Sequence, residues 1–374
     1  MFLSTTISTT MLKKLELFGF KSIRKMELEL KPINVLIGAN GAGKSNLIEI
    51  FHLLKSLQNN RLQLHIGKAG GANCLLHYGA SITNEMYTCL SINTDKGSIK
   101  YRMRLTATVG DTLIFADESL QGLINGKSTP IEQSLGAGHK ETLLNTAEYQ
   151  NDLMSKAVSK KIENYQVFHF HDTSDTARLR ANCDIENNQT LMSDGSNLAA
   201  ILYKLREVKR PYYDRIVKTI RLIAPFFKDF VLKPEINPNY IQLRWQDRNS
   251  DYEFRAHQLS DGTLRTMLLI TLLLQPETDL PTLIVLDEPE IGLHPYAINI
   301  IASLIHTVQT QVILATQSCT FLDHFEPELV IIVEQKQGLS SFKRLDSASL
   351  SEWLEEYTLS ELWEKNVTGG YPSR

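Results

Sequence analysis

The chain of 374 residues is short of the features that mark secreted, zinc-stapled or membrane proteins. Its four cysteines, Cys74, Cys89, Cys183 and Cys319, are scattered and form no CxxC pair. That spacing argues against a disulfide framework and a cysteine zinc site, and suits a reducing compartment. No apolar run approaches the roughly 18 residues of a membrane span, so no membrane association is expected. The N-terminal MFLSTTISTTM has neither a basic start nor an apolar core long enough for a secretory signal. A cytoplasmic location is the default, and a start at Met11 would leave residues 1–10 as a disordered tail. The net charge of −3 supplies no global positive field for nucleic acid. No internal repeat or low-complexity block is present.

What is there is a chain long enough for one large α/β domain or two smaller ones. Short alternating runs from Leu12 to Leu36 predict strands, and NLIEIFHLLKSLQ, with Leu47, Ile50, Phe51, Leu54 and Leu57 at helical spacing, predicts a helix. Residues 64–80 read as an irregular loop, followed by an antiparallel meander and one amphipathic helix over about 139–163. Residues 196–228 read as two helices broken near Pro211. They carry the one local surplus of positive charge, in which Lys204, Lys209, Arg210, Arg215 and Lys218 are candidates for nucleic-acid or partner contact; a solvated helix face is the blander reading. A long apolar helix after Ser260, the buried strand TLIVLD, and the strands QVILATQS and ELVIIVEQ complete a central, mainly parallel sheet.

GANGAGKS, Gly38 to Ser45, fits the phosphate-loop pattern GxxxxGK(S/T) between a strand and a helix. Gly38, Ala39, Asn40, Gly41, Ala42, Gly43, Lys44, Ser45 and Asn46 are therefore the nucleotide-binding residues: backbone N–H groups wrap the phosphates, and Lys44 reaches the β- and γ-phosphates. Ser45 completes the coordination of Mg²⁺, and ATP or GTP is the expected ligand. LIVLDEPE then presents Asp287 at the end of an apolar strand as a second magnesium ligand, with Glu288 as the base that orients the attacking water. Further along the chain than the phosphate loop, but ahead of that strand, lies QLSDGTLRT. Ser260 suits an N-cap, and the N–H groups of Asp261 and Gly262 form a second anion-binding helix start. MSDGSN, residues 192–197, looks similar but leads into no Asp-Glu strand, and is read as an ordinary N-cap.

Phosphate loop, LSDGT, LDEPEIGLHP and a strand ending in LATQS together resemble the ATP-binding-cassette (ABC) class of P-loop ATPases. The resemblance implies an α/β head with a central, mainly parallel sheet, an antiparallel β-subdomain and a helical insertion. It also implies that Ser260, Asp261 and Gly262 of one copy cap ATP held by Lys44 of the other, in a homodimer or higher oligomer closed around ATP and Mg²⁺. Between Lys44 and Asp287 lie 287 − 44 = 243 positions, more than transporter cassettes use. LELFGFKSI, LKPINVLIGANGAGKSNLIE and LSDGTLR resemble instead the group of RecF, structural-maintenance-of-chromosomes (SMC) and OLD ATPases, above all its stand-alone members.

On that reading residues 11–374 form one head, with an N-terminal lobe over 11–135, a helical insertion over 136–235 and a C-terminal lobe over 236–374. That reading expects a bare head, with neither the nuclease domain of OLD proteins nor the coiled coil of SMC proteins. Gln317 stands where many relatives place histidine, which allows slow turnover. Gln58, Gln63 and His77 are candidates for the magnesium-sensing position. His169, His171 and Asp172 read as a polar site in the linker or near the nucleotide rather than a hydrolase metal site, and Arg178 and Arg180 as phosphate contacts or salt-bridge residues. The resemblance implies an ATP-gated switch in DNA repair or antiphage defence, acting on DNA or beside a separately encoded effector such as a nuclease. An assembly scaffold with incidental hydrolysis is the alternative, and an ATPase subunit of a membrane transporter a more distant one.

Overall fold

The computed structural model describes residues 11–125, 129–146, 148–149, 151–170 and 172–370. The chain divides into two compact units, the first comprising residues 1–167, 282–285 and 311–374, the second 168–281 and 286–310. The expected tail 1–10 and His171 lie outside the described residues.

The first unit carries two six-stranded sheets. One runs in the order Leu339–Arg344, Val330–Lys336, Ile33–Ile37, Gln311–Thr316, Leu283–Asp287, Tyr165–Phe168. Its strands Ile33–Ile37, Gln311–Thr316 and Val330–Lys336 are parallel, with Thr316 opposite Ile37, while Leu339–Arg344 returns antiparallel at the edge. Continuous apolar strands such as Leu283–Leu286 and Val312–Ala315 are fully buried, as a sheet covered on both faces requires. The chain leaves this unit within Leu283–Asp287, after Val285. The other sheet is wholly antiparallel, in the order Ile23–Glu29, Leu12–Phe20, Glu85–Thr94, Gly97–Ala107, Leu113–Ile124, Ile131–Gly136. Leu15, Leu17, Leu90 and Tyr101 of this sheet share one core with Ile313 and Val333 of the first and with Phe51 and Leu54 of the helix Lys44–Gln58.

The second unit is built around the helix Asp261–Leu273, buried at every position from Leu264 onward. The helices Leu198–Val208, Arg210–Ile223 and Pro295–Thr307 pack against it. A three-stranded antiparallel sheet joins Phe227–Val231, Arg244–Asp247 and Glu253–Arg255. The break between the two basic helices falls at Lys209, with Pro211 in the first turn of the second.

Two local expectations fail. Residues 64–80 are not an irregular loop: Leu62–Lys68 and Ala72–Leu75 are helical. Their donors are satisfied from a distance, because Glu141 accepts from Leu62 N (2.8 Å) and Gln63 N (3.0 Å), and Asp111 Oδ1 from Asn73 N (2.9 Å). The helix expected over 139–163 is confined to Leu153–Glu163. Ahead of it the buried Glu118 carboxylate accepts from Tyr101 Oη (2.6 Å), the Thr142 hydroxyl and Leu143 N (3.0 Å), and holds that stretch out of helix. MSDGSN does supply the N-cap expected of it, from its last residue and not from Ser193. The N-cap of Leu198–Val208 is Asn197, whose buried side chain holds the preceding turn through Met192 N, Asn187 O and Thr190 O.

Candidate functional site

The phosphate loop hangs between the strand Ile33–Ile37 and the helix Lys44–Gln58. Gly38 is needed for space: a Cβ there would fall 2.1 Å from the Val333 carbonyl oxygen. Gly43 is needed for conformation, with φ of 115° in the left-handed region. Lys44 is buried, and its ammonium donates to the carbonyls of Gly38 (2.6 Å) and Ala39 (3.1 Å), so its charge lies over the loop. Asn40, Gly41 and Ser45 are exposed, and a Cβ on Gly41 would meet open space. An exposed, glycine-rich turn at a helix start, with a lysine folded over it, fits a phosphate chain.

The loop has a buttress that motif reading missed. Asn46 Nδ2 donates to Ser22 Oγ (2.6 Å), Ser22 Oγ and Ser340 Oγ share a hydrogen bond of 2.6 Å, and Ser340 Oγ donates to the Ala42 carbonyl (2.7 Å). Ser22 sits between Leu12–Phe20 and Ile23–Glu29, and Ser340 near the start of Leu339–Arg344. No local pattern flags either serine. Gln317 follows directly on Gln311–Thr316, and the pairing of Thr316 with Ile37 sets it at the same sheet edge as Gly38. The three candidates for magnesium sensing are engaged elsewhere in the same unit. Gln58 Nε2 donates to Ser159 Oγ (2.8 Å), Gln63 Nε2 to the Leu113 and Lys140 carbonyls (2.9 and 2.7 Å), and His77 Nδ1 bonds the Lys21 carbonyl (2.6 Å).

In the second unit Asp287 closes its strand, and Glu288 follows with φ of 43°. A non-glycine residue held there stores about 1–3 kcal/mol of strain, a cost that clusters at sites where side-chain direction matters. His169 Nδ1 lies 4.0 Å from Asp287 Oδ2, so HFHD does supply a polar neighbour to the Asp-Glu pair. Among the described residues no three His, Cys, Asp or Glu side chains converge as a metal cluster.

Ser260 is the N-cap of Asp261–Leu273: its Oγ accepts from Thr263 N (3.2 Å). Ser260 and Asp261 are exposed, in contrast to the helix they open. Two arginines hold this turn. Arg265, buried, donates to the Phe170 carbonyl (2.6 Å) and the Ile291 carbonyl (2.6 Å). Arg180, also buried, donates to Asp261 Oδ1 at 2.7 Å. Of the basic candidates, Lys209 and Lys204 pair with Asp279 (2.8 and 3.7 Å) and Arg210 with Asp214 (2.8 Å). Arg215, Lys218 and Arg178 are exposed and form no ion pair among the described residues.

Residues 33–323, well over half the chain, match the family described as "AAA domain, putative AbiEii toxin, Type IV TA system". The chain belongs to this family. It is an ABC-class P-loop ATPase of the SMC/RecF type. It is 39% identical over 69 residues to the DNA replication and repair protein RecF of Acidothermus cellulolyticus, covering 18% of this chain and 19% of that protein. With RecF of Renibacterium salmoninarum the identity is 44% over 52 residues, 14% of this chain and 13% of the relative. The chain thus matches less than a fifth of the length of these curated relatives. Among solved structures, an SMC head bound to the C-terminal winged-helix domain of ScpA superposes with a TM-score of 0.60 at 16% identity, covering 91% of this chain and 99% of that one. An SMC head with an extended coiled coil, bound to the C-terminal domain of ScpA and derived from Pyrococcus furiosus, gives 0.55 at 16% identity, with coverage of 93% and 99%. At that identity the likeness shows the fold, an SMC-type ATPase head. No helix among the described residues of this AAA-family ATPase is long and apolar enough to cross a membrane.

Proposed function

We propose that this AAA-family protein is an ATP-driven switch in which two copies close around two ATP molecules and hydrolysis reopens them. The observation that carries the reading is the exposed Ser260–Asp261 turn at the start of an otherwise buried helix. A helix N-terminus with free polar donors favours anions, and the phosphate loop already supplies its own copy with one such start. A second one left in solvent is suited to the nucleotide of a partner, and an isologous dimer uses it twice.

In this proposal Lys44 and the N–H groups from Gly38 to Asn46 hold the phosphates, and Glu288 accepts a proton from the attacking water. Gln317 hydrogen-bonds that water or the γ-phosphate. Ser45 and Asp287 offer hydroxyl and carboxylate oxygens, the donor set that magnesium takes. When bound, that ion would offset the negative charge of the phosphates.

The relatives support the context. RecF proteins act in DNA replication and repair, the family description names a toxin of a toxin–antitoxin system, and the SMC heads are bound to ScpA domains. Closure of this protein is accordingly proposed to grip DNA or a separately encoded effector, in repair or in defence against phage. A second reading, an assembly scaffold in which hydrolysis is slow, is favoured by the uncharged Gln317 where many relatives place histidine.

The deciding experiment weighs Glu288→Gln in solution with and without ATP and magnesium, beside the same protein carrying Ser260→Arg. ATP-dependent doubling of mass that Ser260→Arg prevents is the expected result. A mass indifferent to ATP sinks the switch and leaves the scaffold.

A further inference from the structure

A polar basin of about 590 Å³ opens in the second unit, beside the Ser260–Gly262 turn, the signature turn of the ABC resemblance. Four of its lining side chains, Arg180, Arg244, Arg255 and His257, are basic types, against the carboxylates Asp175 and Glu235. The carboxylates do not use up the donors. Glu235 takes one terminal nitrogen of Arg244 (2.7 and 2.9 Å) and Glu253 approaches the other at 3.8 Å, while Arg244 Nε is buried and has no hydrogen-bond partner among the described residues. Arg255 is exposed and forms no ion pair among the described residues. Among the described residues Asp175 pairs with His257 alone, at 4.0 Å.

Arg180 reaches from this basin to the signature turn. Its Nε donates to the Thr173 carbonyl (2.8 Å), one terminal nitrogen to the Ala256 carbonyl, and the other to Asp261 Oδ1 (2.7 Å). Its own carbonyl accepts from Gln242 Nε2 (3.1 Å), another basin residue. A guanidinium held on three sides passes a small shift at one contact to the others.

We infer that this basin binds a phosphate group, carried by a free nucleotide-sized ligand or by the end of a nucleic-acid strand, and that its occupancy is passed through Arg180 to Ser260–Gly262. The volume suits a nucleotide-sized ligand, and planar guanidinium forks match phosphate oxygens in pairs. A phosphate also brings about two negative charges, more than a single carboxylate supplies to this cluster. Phosphate drawn to Arg180 competes with Asp261, loosening a residue in the first turn of the signature helix. The meaning of that loosening for the dimer rests on the function proposed above; the binding does not.

The test is made in a Lys44→Ala chain, so that the phosphate loop contributes nothing. Binding of inorganic pyrophosphate and of a short end-phosphorylated single strand is measured by calorimetry, in that parent and with Arg255→Glu or His257→Glu added. Both added changes are at exposed positions. We expect each to weaken binding by about tenfold or more. Binding of both probes identifies a free phosphate group as sufficient, and binding of the strand alone assigns the site to nucleic-acid ends. Amide hydrogen exchange over Asp261–Thr263 should change on probe binding in the parent, and not in Arg255→Glu. The site is refuted if neither probe binds, if Arg255→Glu and His257→Glu bind as well as the parent, or if polyglutamate binds as tightly as the phosphate probes. Unchanged exchange at saturation refutes the link to the signature turn. None of these readouts uses hydrolysis or dimerisation, so failure here and failure of the ATP switch are told apart.

Discussion

Gly262 lies so close to the carbonyl oxygen of Gly292 that a Cβ on it would fall 2.2 Å from that atom. The glycine of the signature turn therefore has a packing duty inside its own chain, toward the segment that follows the Asp-Glu strand. Gly262→Ala is expected to push the turn away from Gly292 at a cost of about 1–3 kcal/mol. Nucleotide affinity of the isolated subunit should stay within about twofold, while the ATP-dependent dimerisation proposed above drops by about tenfold or more. Fluorescent-nucleotide titration and sedimentation, run side by side, separate the two effects.

Ser340 holds the phosphate loop through the Ala42 carbonyl without being placed to touch the nucleotide. Removing one such bond while leaving a buried acceptor costs about 1–3 kcal/mol. Ser340→Ala should weaken ATP and ADP binding equally, by roughly five- to a hundredfold, with little change in the rate of bound ATP. Calorimetric titration with both nucleotides checks this, and a selective loss of the hydrolysis rate would argue against a buttressing role.

The basic helices divide into committed and uncommitted residues. Arg215→Glu with Lys218→Glu should reduce retention of DNA and flatten its salt dependence by about two units of logarithmic slope. Lys209→Ala breaks the 2.8 Å pair with Asp279 and should lower stability by up to about 1 kcal/mol, leaving DNA retention alone. Anisotropy at several salt concentrations, with thermal melts, reads both. Equal retention by the double variant would remove this face as the DNA contact.

Burial pushes the Lys161 ammonium from an ordinary 10.5 down to about 8. Because the folded chain releases this proton more readily than the unfolded one, the group's penalty is fully present below pH 8 and fades as pH rises toward 10.5. Lys161→Met should therefore melt at a higher temperature than the parent at pH 7. The gap should narrow across pH 8 to 10.5, a pattern that denaturant titrations at four or so pH values would display or refute.

What could be read from the sequence was what neighbours in sequence determine. The phosphate loop, the Asp-Glu strand and the Ser260 cap are each made by residues within a turn of one another, so spacing and periodicity reveal them. The helix Leu62–Lys68 was hidden because its first donors are capped by Glu141, far along the chain. The stretch before Leu153 looked helical because nothing local shows that Glu118 claims its Thr142 hydroxyl and Leu143 N–H. The same holds at the site. Ser22 and Ser340 meet across a separation of 318 positions, and Arg180 reaches Asp261 across 81.

The meeting of Ser22 with Ser340 also has a consequence in time. A ribosome delivers the phosphate loop early, yet the hydroxyl that fixes its Ala42 carbonyl arrives 298 positions later. Long-range closures of this kind form late, once their entropy can be repaid by a folded core. Nascent chains stalled before residue 340 should be nearly blind to nucleotide. The phosphate loop would then stay without its full grip on nucleotide until Ser340 has been made, however early its own residues emerge.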